Sequence, residues 1–179
     1  MDEFVWRHLQ RFLANVSVSP SVTGGNLPGV KEAIIQSLSE LPLREFADPL
    51  RFVHNLNSWT YRIGTSCTRR VPWGTARKCL NIFLRDATYN HYMRGHYHFD
   101  AVESLLEVPL DSRVRDGLRS DSRRIRREID PHLEIPQWFD SIISLSPETH
   151  TQYQDAACAI AQHCNTLRVH LDLKYWPRA

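Results

Sequence analysis

Apolar residues recur at helical spacing along most of the chain. Between the prolines and glycines they return every three or four residues, as Ile34, Ile35 and Leu38 do, which is the period of an amphipathic helix. This pattern predicts helices over 3–15, 30–40, 49–58, 75–93, 100–109, 112–129 and 148–170. Irregular segments are predicted over 17–29 and 60–75, and a short isolated strand over 167–173. The predicted fold class is all-α.

Composition limits the class of protein. The chain has 179 residues, of which 42% are hydrophobic and 23% charged, values typical of one globular domain covering residues 1–179. No apolar run reaches the roughly 18 residues of a membrane helix, and the acidic start of the chain does not fit a secretory signal. Four irregularly spaced cysteines favour a reduced compartment. We therefore expect a soluble, cytoplasmic protein, monomeric and without a membrane partner.

Positive charge is concentrated in the middle of the chain. The formal net charge is +2, but residues 63–130 contain thirteen basic and nine acidic side chains. Within 64–78 there are four basic residues and no acid, namely Arg69, Arg70, Arg77 and Lys78. Such a patch indicates either a phosphate-facing surface or a solvated loop.

Two short segments have the residue types of a chemical site. In the first, Trp73–Ala76 is a small-residue turn that leads into a helix, whose free N–H groups suit a phosphate. In the second, Asp111 follows an apolar Val-Pro-Leu run and precedes an arginine-rich helix that it can cap, as Ser112 also can. A carboxylate there would be partly buried by its apolar neighbours, so it has either a catalytic role or only a capping role.

These segments resemble the signature of the helix-hairpin-helix DNA glycosylases, the superfamily of endonuclease III and the alkyladenine glycosylases. The family hairpin reads roughly Leu-Pro-Gly-Val-Gly-Arg-Lys-Thr-Ala-Asn, and an aspartate follows in a Val-Asp-Ser/Thr-x-Val context. Gly74–Lys78 falls on Gly-Val-Gly-Arg-Lys, with Ala76 in place of the second glycine, and Asn81 on the final Asn. Leu110–Val114 falls on the aspartate element, and its Asp111 lies 33 residues after Lys78.

The resemblance implies a fold of two helical lobes with a DNA-binding cleft between them. A catalytic core would cover about 64–130, and the N- and C-terminal helices would form the second lobe. Asp111 would be the catalytic aspartate, and Lys78 would be either a Schiff-base lysine or a DNA contact. DNA-binding residues would be Arg69, Arg70, Trp73, Gly74, Thr75, Ala76, Arg77, Ser112 and Arg113. Aromatic residues that could line a base pocket are Trp59, Tyr61, Tyr89 and Tyr92.

The implied activity is that of a DNA glycosylase, which flips a modified base out of duplex DNA and cleaves its N-glycosidic bond. A narrower resemblance is to small phage-defence glycosylases that excise glucosylated 5-hydroxymethylcytosine. Alternatives are a host repair glycosylase for oxidised or alkylated bases, and a helix-hairpin-helix DNA-binding module without catalysis. No cofactor is expected, since Cys158 and Cys164 cannot supply the four ligands of an iron–sulfur cluster. The spacing of His91, His96 and His98 does not predict a metal site.

Overall fold

The computed structural model describes residues 2–20, 22, 29–66 and 70–176. Within these residues there are eight α-helices and no strand, so the all-α prediction is confirmed for this part of the chain. The helices are α1 (Glu3–Val18), α2 (Val30–Ser39), α3 (Phe52–Thr65), α4 (Trp73–Tyr89), α5 (His91–Tyr97), α6 (Ser112–Glu128), α7 (Pro147–His163) and α8 (Leu171–Tyr175). The predicted loop over 17–29 lies mostly outside the described residues.

Several predicted boundaries are corrected by local hydrogen bonding. The helix predicted over 75–93 is two helices, because Asn90 adopts extended backbone and its side chain caps α5 through the N–H groups of Tyr92 and Met93. The helix predicted at 49–58 begins later, at Phe52, because the Asp48 side chain first holds a turn by accepting from the Leu50 N–H at 3.0 Å.

The C-terminal region also differs from its prediction. The helix predicted over 148–170 ends at His163, and the segment predicted as a strand forms a 3₁₀ turn, Arg168–His170, followed by α8. Residues 100–109, predicted as a helix, form two short 3₁₀ turns and then a segment without regular secondary structure. The alternation of apolar residues in 167–173 covers only four positions. Such a short pattern does not make a strand unless a neighbouring strand supplies the backbone hydrogen bonds.

Two groups of buried apolar residues form the core. The N-terminal cluster is formed by the five helices from α1 through α5. The C-terminal cluster is formed by α6, α7, α8 and the segment 108–110. Helix α1 packs in the N-terminal cluster, whereas α7 and α8 pack in the C-terminal cluster. The predicted division into two lobes stays a prediction. Helix α4 belongs to the N-terminal cluster, but its first residue, Trp73, packs against the C-terminal one.

Glycines permit two close approaches, one between the two clusters and one within the C-terminal cluster. A Cβ at Gly74 would overlap the carbonyl oxygen of Ile142 and lie 2.9 Å from the Leu145 Cβ. A Cβ at Gly117 would overlap the ring of Tyr175. Both positions therefore need glycine for packing. Gly74 lets α4 pack on the 142–145 segment, and Gly117 lets α8 pack on α6.

Candidate active site

Asp111 is the N-cap residue of α6, as its position before Ser-Arg-Val predicts. Its backbone is extended, and its Oδ1 accepts a hydrogen bond from the Val114 N–H at 2.9 Å. Its Oδ2 accepts a second bond, from the indole Nε1 of Trp176 at 2.9 Å. The side chain is only 13% exposed. Two donors from different elements therefore hold this carboxylate in one orientation.

Lys78 faces this carboxylate from α4. Its Nζ lies 3.9 Å from the Asp111 Oδ2, and its side chain is 14% exposed. This separation is within ion-pair range but longer than a hydrogen bond. The structure thus brings together the two residues that the resemblance implies as catalytic, and leaves neither bonded directly to the other.

Glu107 fixes the chain segment that leads to Asp111. Its two carboxylate oxygens each accept a hydrogen bond from the Arg77 guanidinium at 2.8 Å. One of them also accepts from Asn81 at 2.8 Å and lies 3.3 Å from His150 Nε2. Burial alone would raise the pKa of Glu107, but the hydrogen bonds and charges of His150 and Arg77 hold it well below its usual range.

Val108, the residue after Glu107, is held by α7. The backbone N–H and carbonyl of Val108 both pair with the side-chain amide of Gln154 on α7, at 3.1 and 2.9 Å. The segment 107–111 is therefore tied to α4 through Glu107 and to α7 through Val108. This arrangement sets the position of Asp111 relative to Lys78, which follows Arg77 directly on α4.

A cavity of about 560 Å³ opens beside this pair. Its size lies within the range of small-molecule pockets, about 300–1,000 Å³. One wall comes from α4, a second from the end of α1, a third from the segment around Asp111 and a fourth from α8. The lining residues are Val16, Ser17, Pro20, Lys78, Ile82, Arg85, Asp86, Tyr89, Pro109, Asp111, Arg113, Asp172, Leu173 and Trp176.

A second ionic cluster lies on the same cavity wall, further along α4. The Arg85 guanidinium binds Asp86 at 2.8 Å and also binds Asp172, the second residue of α8. The other oxygen of Asp86 accepts from the Ser17 hydroxyl at 2.7 Å. Burial raises the pKa of Asp172, and the nearby Asp111 and Asp86 raise it further, against the lowering effect of Arg85.

Most of the predicted DNA contacts on α4 face inward. Thr75, Ala76 and Arg77 are buried, and Gly74 is covered by the 142–145 segment. These four residues begin a helix rather than form an exposed turn, and their side chains are not available to a phosphate. Trp73 packs its ring edge-to-face on His150, at 5.2 Å between centroids. The four covered residues Gly74–Arg77 are therefore no longer candidate DNA contacts.

The exposed members of that set are Arg70, Ser112 and Arg113. Of these, Arg113 lines the cavity, and its guanidinium stacks on the ring of Trp176 at 4.2 Å. Arg69 lies outside the described residues. Exposed positive charge therefore lies beside Asp111, at Arg113, and just ahead of α4, at Arg70.

One predicted base-pocket residue lines the cavity, namely Tyr89. Its hydroxyl shares a 2.8 Å hydrogen bond with His170, and burial raises its pKa to about 12. Trp59 instead packs on the N-terminal cluster beneath Arg62. Tyr61 and Tyr92 are exposed on α3 and α5 and are not among the residues that line the cavity.

Sequence reasoning missed the contribution of α8. Trp176 binds Asp111, and Asp172 binds Arg85, yet both lie in or beside a segment predicted as a strand. The available signal was the spacing Asp172-x3-Trp176, which places two polar-tipped side chains on one helical face. Arg85 was also missed, although it lies seven residues after Lys78 on the same face of α4.

Searches with the chain found no matching protein-family model, no similar curated protein and no similar solved structure. Among the described residues, no group of three or more His, Cys, Asp or Glu side chains is arranged to hold a metal ion. In the same part of the chain, no helix has the length and apolar character needed to cross a bilayer. Support for a function therefore comes from the residues of the cavity.

Proposed function

We propose that this chain is a DNA glycosylase that cleaves the N-glycosidic bond of a base flipped out of duplex DNA. The observation that carries the proposal is the pairing of Lys78 Nζ with Asp111 Oδ2, 3.9 Å apart, on the wall of a cavity of about 560 Å³. A flipped base must enter a cavity to be reached, and Arg113 and Ser112 are exposed beside Asp111 for contacts with the DNA backbone.

The fixed orientation of Asp111 supports a role in glycosidic cleavage. The C1′–N bond breaks with its electron pair going to the base, which takes up a proton, and the sugar gains oxocarbenium character. An ionised carboxylate beside C1′ stabilises that positive charge without reorganising, because Val114 and Trp176 already hold it. A water molecule oriented by the same carboxylate then forms the new bond to C1′.

Lys78 provides a second route. Its amine, once deprotonated, can form the bond to C1′ in place of water. Opening of the sugar ring, with cleavage of the C1′–O4′ bond, then gives a Schiff base, which allows elimination of the 3′ phosphate and hence strand cleavage. In the water route, Lys78 instead contacts the DNA or balances the charge of Asp111. The two routes give different products, so product analysis separates them.

The test is base release from a panel of duplexes with oxidised bases, alkylated bases, uracil, 5-hydroxymethylcytosine and its glucosylated form. Asp111→Asn keeps the shape and the cap but removes the charge, and we expect loss of release with DNA binding retained. Asp155→Asn is the matched control, since Asp155 is an exposed carboxylate on α7 that does not line the cavity. Release that survives Asp111→Asn, or no release from any duplex, contradicts the proposal.

Strand breaks and borohydride trapping decide the role of Lys78. Breaks that need hot alkali indicate water as the nucleophile, whereas breaks without alkali and a trapped covalent complex indicate the amine. Lys78→Met should abolish trapping, and Lys31→Met on α2 serves as the control lysine. The duplex that responds also separates host repair from attack on modified phage DNA, the antiviral role that the narrower resemblance implies.

A further inference from the structure

The cavity has a second polar end, distinct from the Lys78–Asp111 pair. Arg85 lies seven residues after Lys78 on α4, which is about 10 Å along a helix axis. Asp172 approaches Arg85 from α8, one helical turn before Trp176. If the sugar of a flipped nucleotide lies against Asp111, the edge of the base away from the glycosidic bond faces this second end.

Asp172 is buried but its hydrogen-bonding capacity is little used. Its side chain is 9% exposed, and among the described residues Arg85 is the one hydrogen-bond donor to it. A carboxylate has about four acceptor sites. Arg85 is also shared with Asp86, so its positive charge is divided between two carboxylates. A buried acceptor in this state gains from any further donor that enters the cavity.

We propose that Asp172 determines specificity by accepting a hydrogen bond from an amino or hydroxyl group on the far edge of the bound base. This inference rests on the proposed glycosylase function. The substrate class is then a base that presents an N–H or O–H donor there. A base with a methyl or carbonyl group in its place leaves the buried carboxylate without its donor, and sites of this kind reject such analogues strongly.

A structural role is the competing explanation. The contact between Asp172 and Arg85 also ties α8 to α4, and α8 holds Trp176 against Asp111. Loss of a purely structural tie would slow the reaction of every base by the same factor. Loss of a recognition contact would change the relative rates of different bases. The two roles are therefore separated by a ratio of rates.

The experiment compares wild type with Asp172→Asn on pairs of duplexes that differ by one donor. The probes are 5-hydroxymethylcytosine against 5-methylcytosine at one position, together with the duplex that responds best in the base panel. The readout is the single-turnover rate of base release. Because the intrinsic leaving ability of each base is the same for both proteins, the change in the rate ratio isolates recognition. We expect the preference for the donor-bearing base to fall by at least about tenfold in the variant.

Asp121→Asn is the matched control. Asp121 accepts hydrogen bonds from Tyr175 at 2.7 Å and Lys174 at 2.5 Å, so it anchors the same helix α8 but does not line the cavity. It should change all rates by one common factor. Equal rate ratios in wild type and Asp172→Asn overturn the inference while leaving the glycosylase function in place. Wild-type silence on every duplex overturns the glycosylase function, and this inference with it.

Discussion

Glu107 and Asp172 are both buried carboxylates that bind an arginine of α4, and they differ in how fully they are hydrogen-bonded. Glu107 receives donors from Arg77 and Asn81 and lies beside His150, whereas Asp172 receives one donor from Arg85. Their pKa values accordingly move in opposite directions, down for Glu107 and up for Asp172. A buried carboxylate with several donors supports structure, and one with a single donor in a cavity has acceptor sites left for a ligand.

The largest effect is expected from Glu107→Gln. The amide cannot accept on both of its terminal atoms, so the buried Arg77 loses its charged partner and one of its hydrogen bonds. Removing one member of a buried ion pair costs about 3–5 kcal/mol of unfolding free energy, measured by urea denaturation. The matched change is Glu134→Gln, an exposed carboxylate that should have little effect. A loss as small as that of the control would show that the network does not hold the 107–111 segment.

The pH dependence of stability should follow Glu107 in acid. A carboxyl whose pKa is lowered by folding stabilises the protein above its unfolded-state pKa, and that contribution is lost as the pH falls towards the folded-state pKa. The wild-type protein should therefore lose stability progressively as the pH falls below 4.5, the ordinary pKa of a glutamate carboxyl. The measurement is the urea midpoint at a series of pH values. Glu107→Gln should flatten this acid limb, and an unchanged limb would assign the loss to other carboxyls.

A moderate effect, on activity rather than folding, is expected from Trp176→Phe. The ring that stacks under Arg113 is kept, but the indole N–H that holds the Asp111 Oδ2 is lost. A hydrogen bond to a charged group contributes about 1.5–3 kcal/mol, so kcat for base release should fall at least tenfold with KM nearly unchanged. Leu173→Ala, on the same helix and cavity wall, is the control. Equal losses in both variants would indicate a general disturbance of α8.

The comparison also shows what sequence can predict. The bounds of α2 and α6 and the start of α1 follow from periodicity, whereas α1 continues to Val18, three residues beyond its predicted end. The cap at Asp111 follows from its position before an arginine-rich helix. The proximity of Lys78 to Asp111 came from resemblance, because periodicity carries no information about residues 33 apart. The inward direction of Arg77 was missed, since its partner Glu107 lies on an extended segment whose register only the tertiary structure fixes.

The C-terminal residues escaped prediction for a different reason. Leu167, Val169, Leu171 and Leu173 alternate in sequence, yet Val169 and Leu171 are buried while Leu173 is 61% exposed. Tertiary contacts decide this segment: Tyr175 packs at Gly117, and Asp172 binds Arg85. A five-residue helix has little stability of its own, so local pattern could not reveal α8. The donors and acceptors that α8 brings to the cavity were hidden with it.

The smallest effect on stability is expected from Asp172→Asn. This variant gives the most direct test of the difference between Asp172 and Glu107. Arg85 keeps Asp86 as a partner, so no buried charge is left alone, and the amide oxygen can still accept from Arg85. Burial raises the pKa of Asp172, so removal of its buried charge lowers the desolvation cost and offsets the weaker hydrogen bond. The net change in unfolding free energy should stay within about 1 kcal/mol. A loss as large as that of Glu107→Gln, measured in the same urea series, would mean that Asp172 is a structural residue like Glu107 and that its open acceptor sites are incidental.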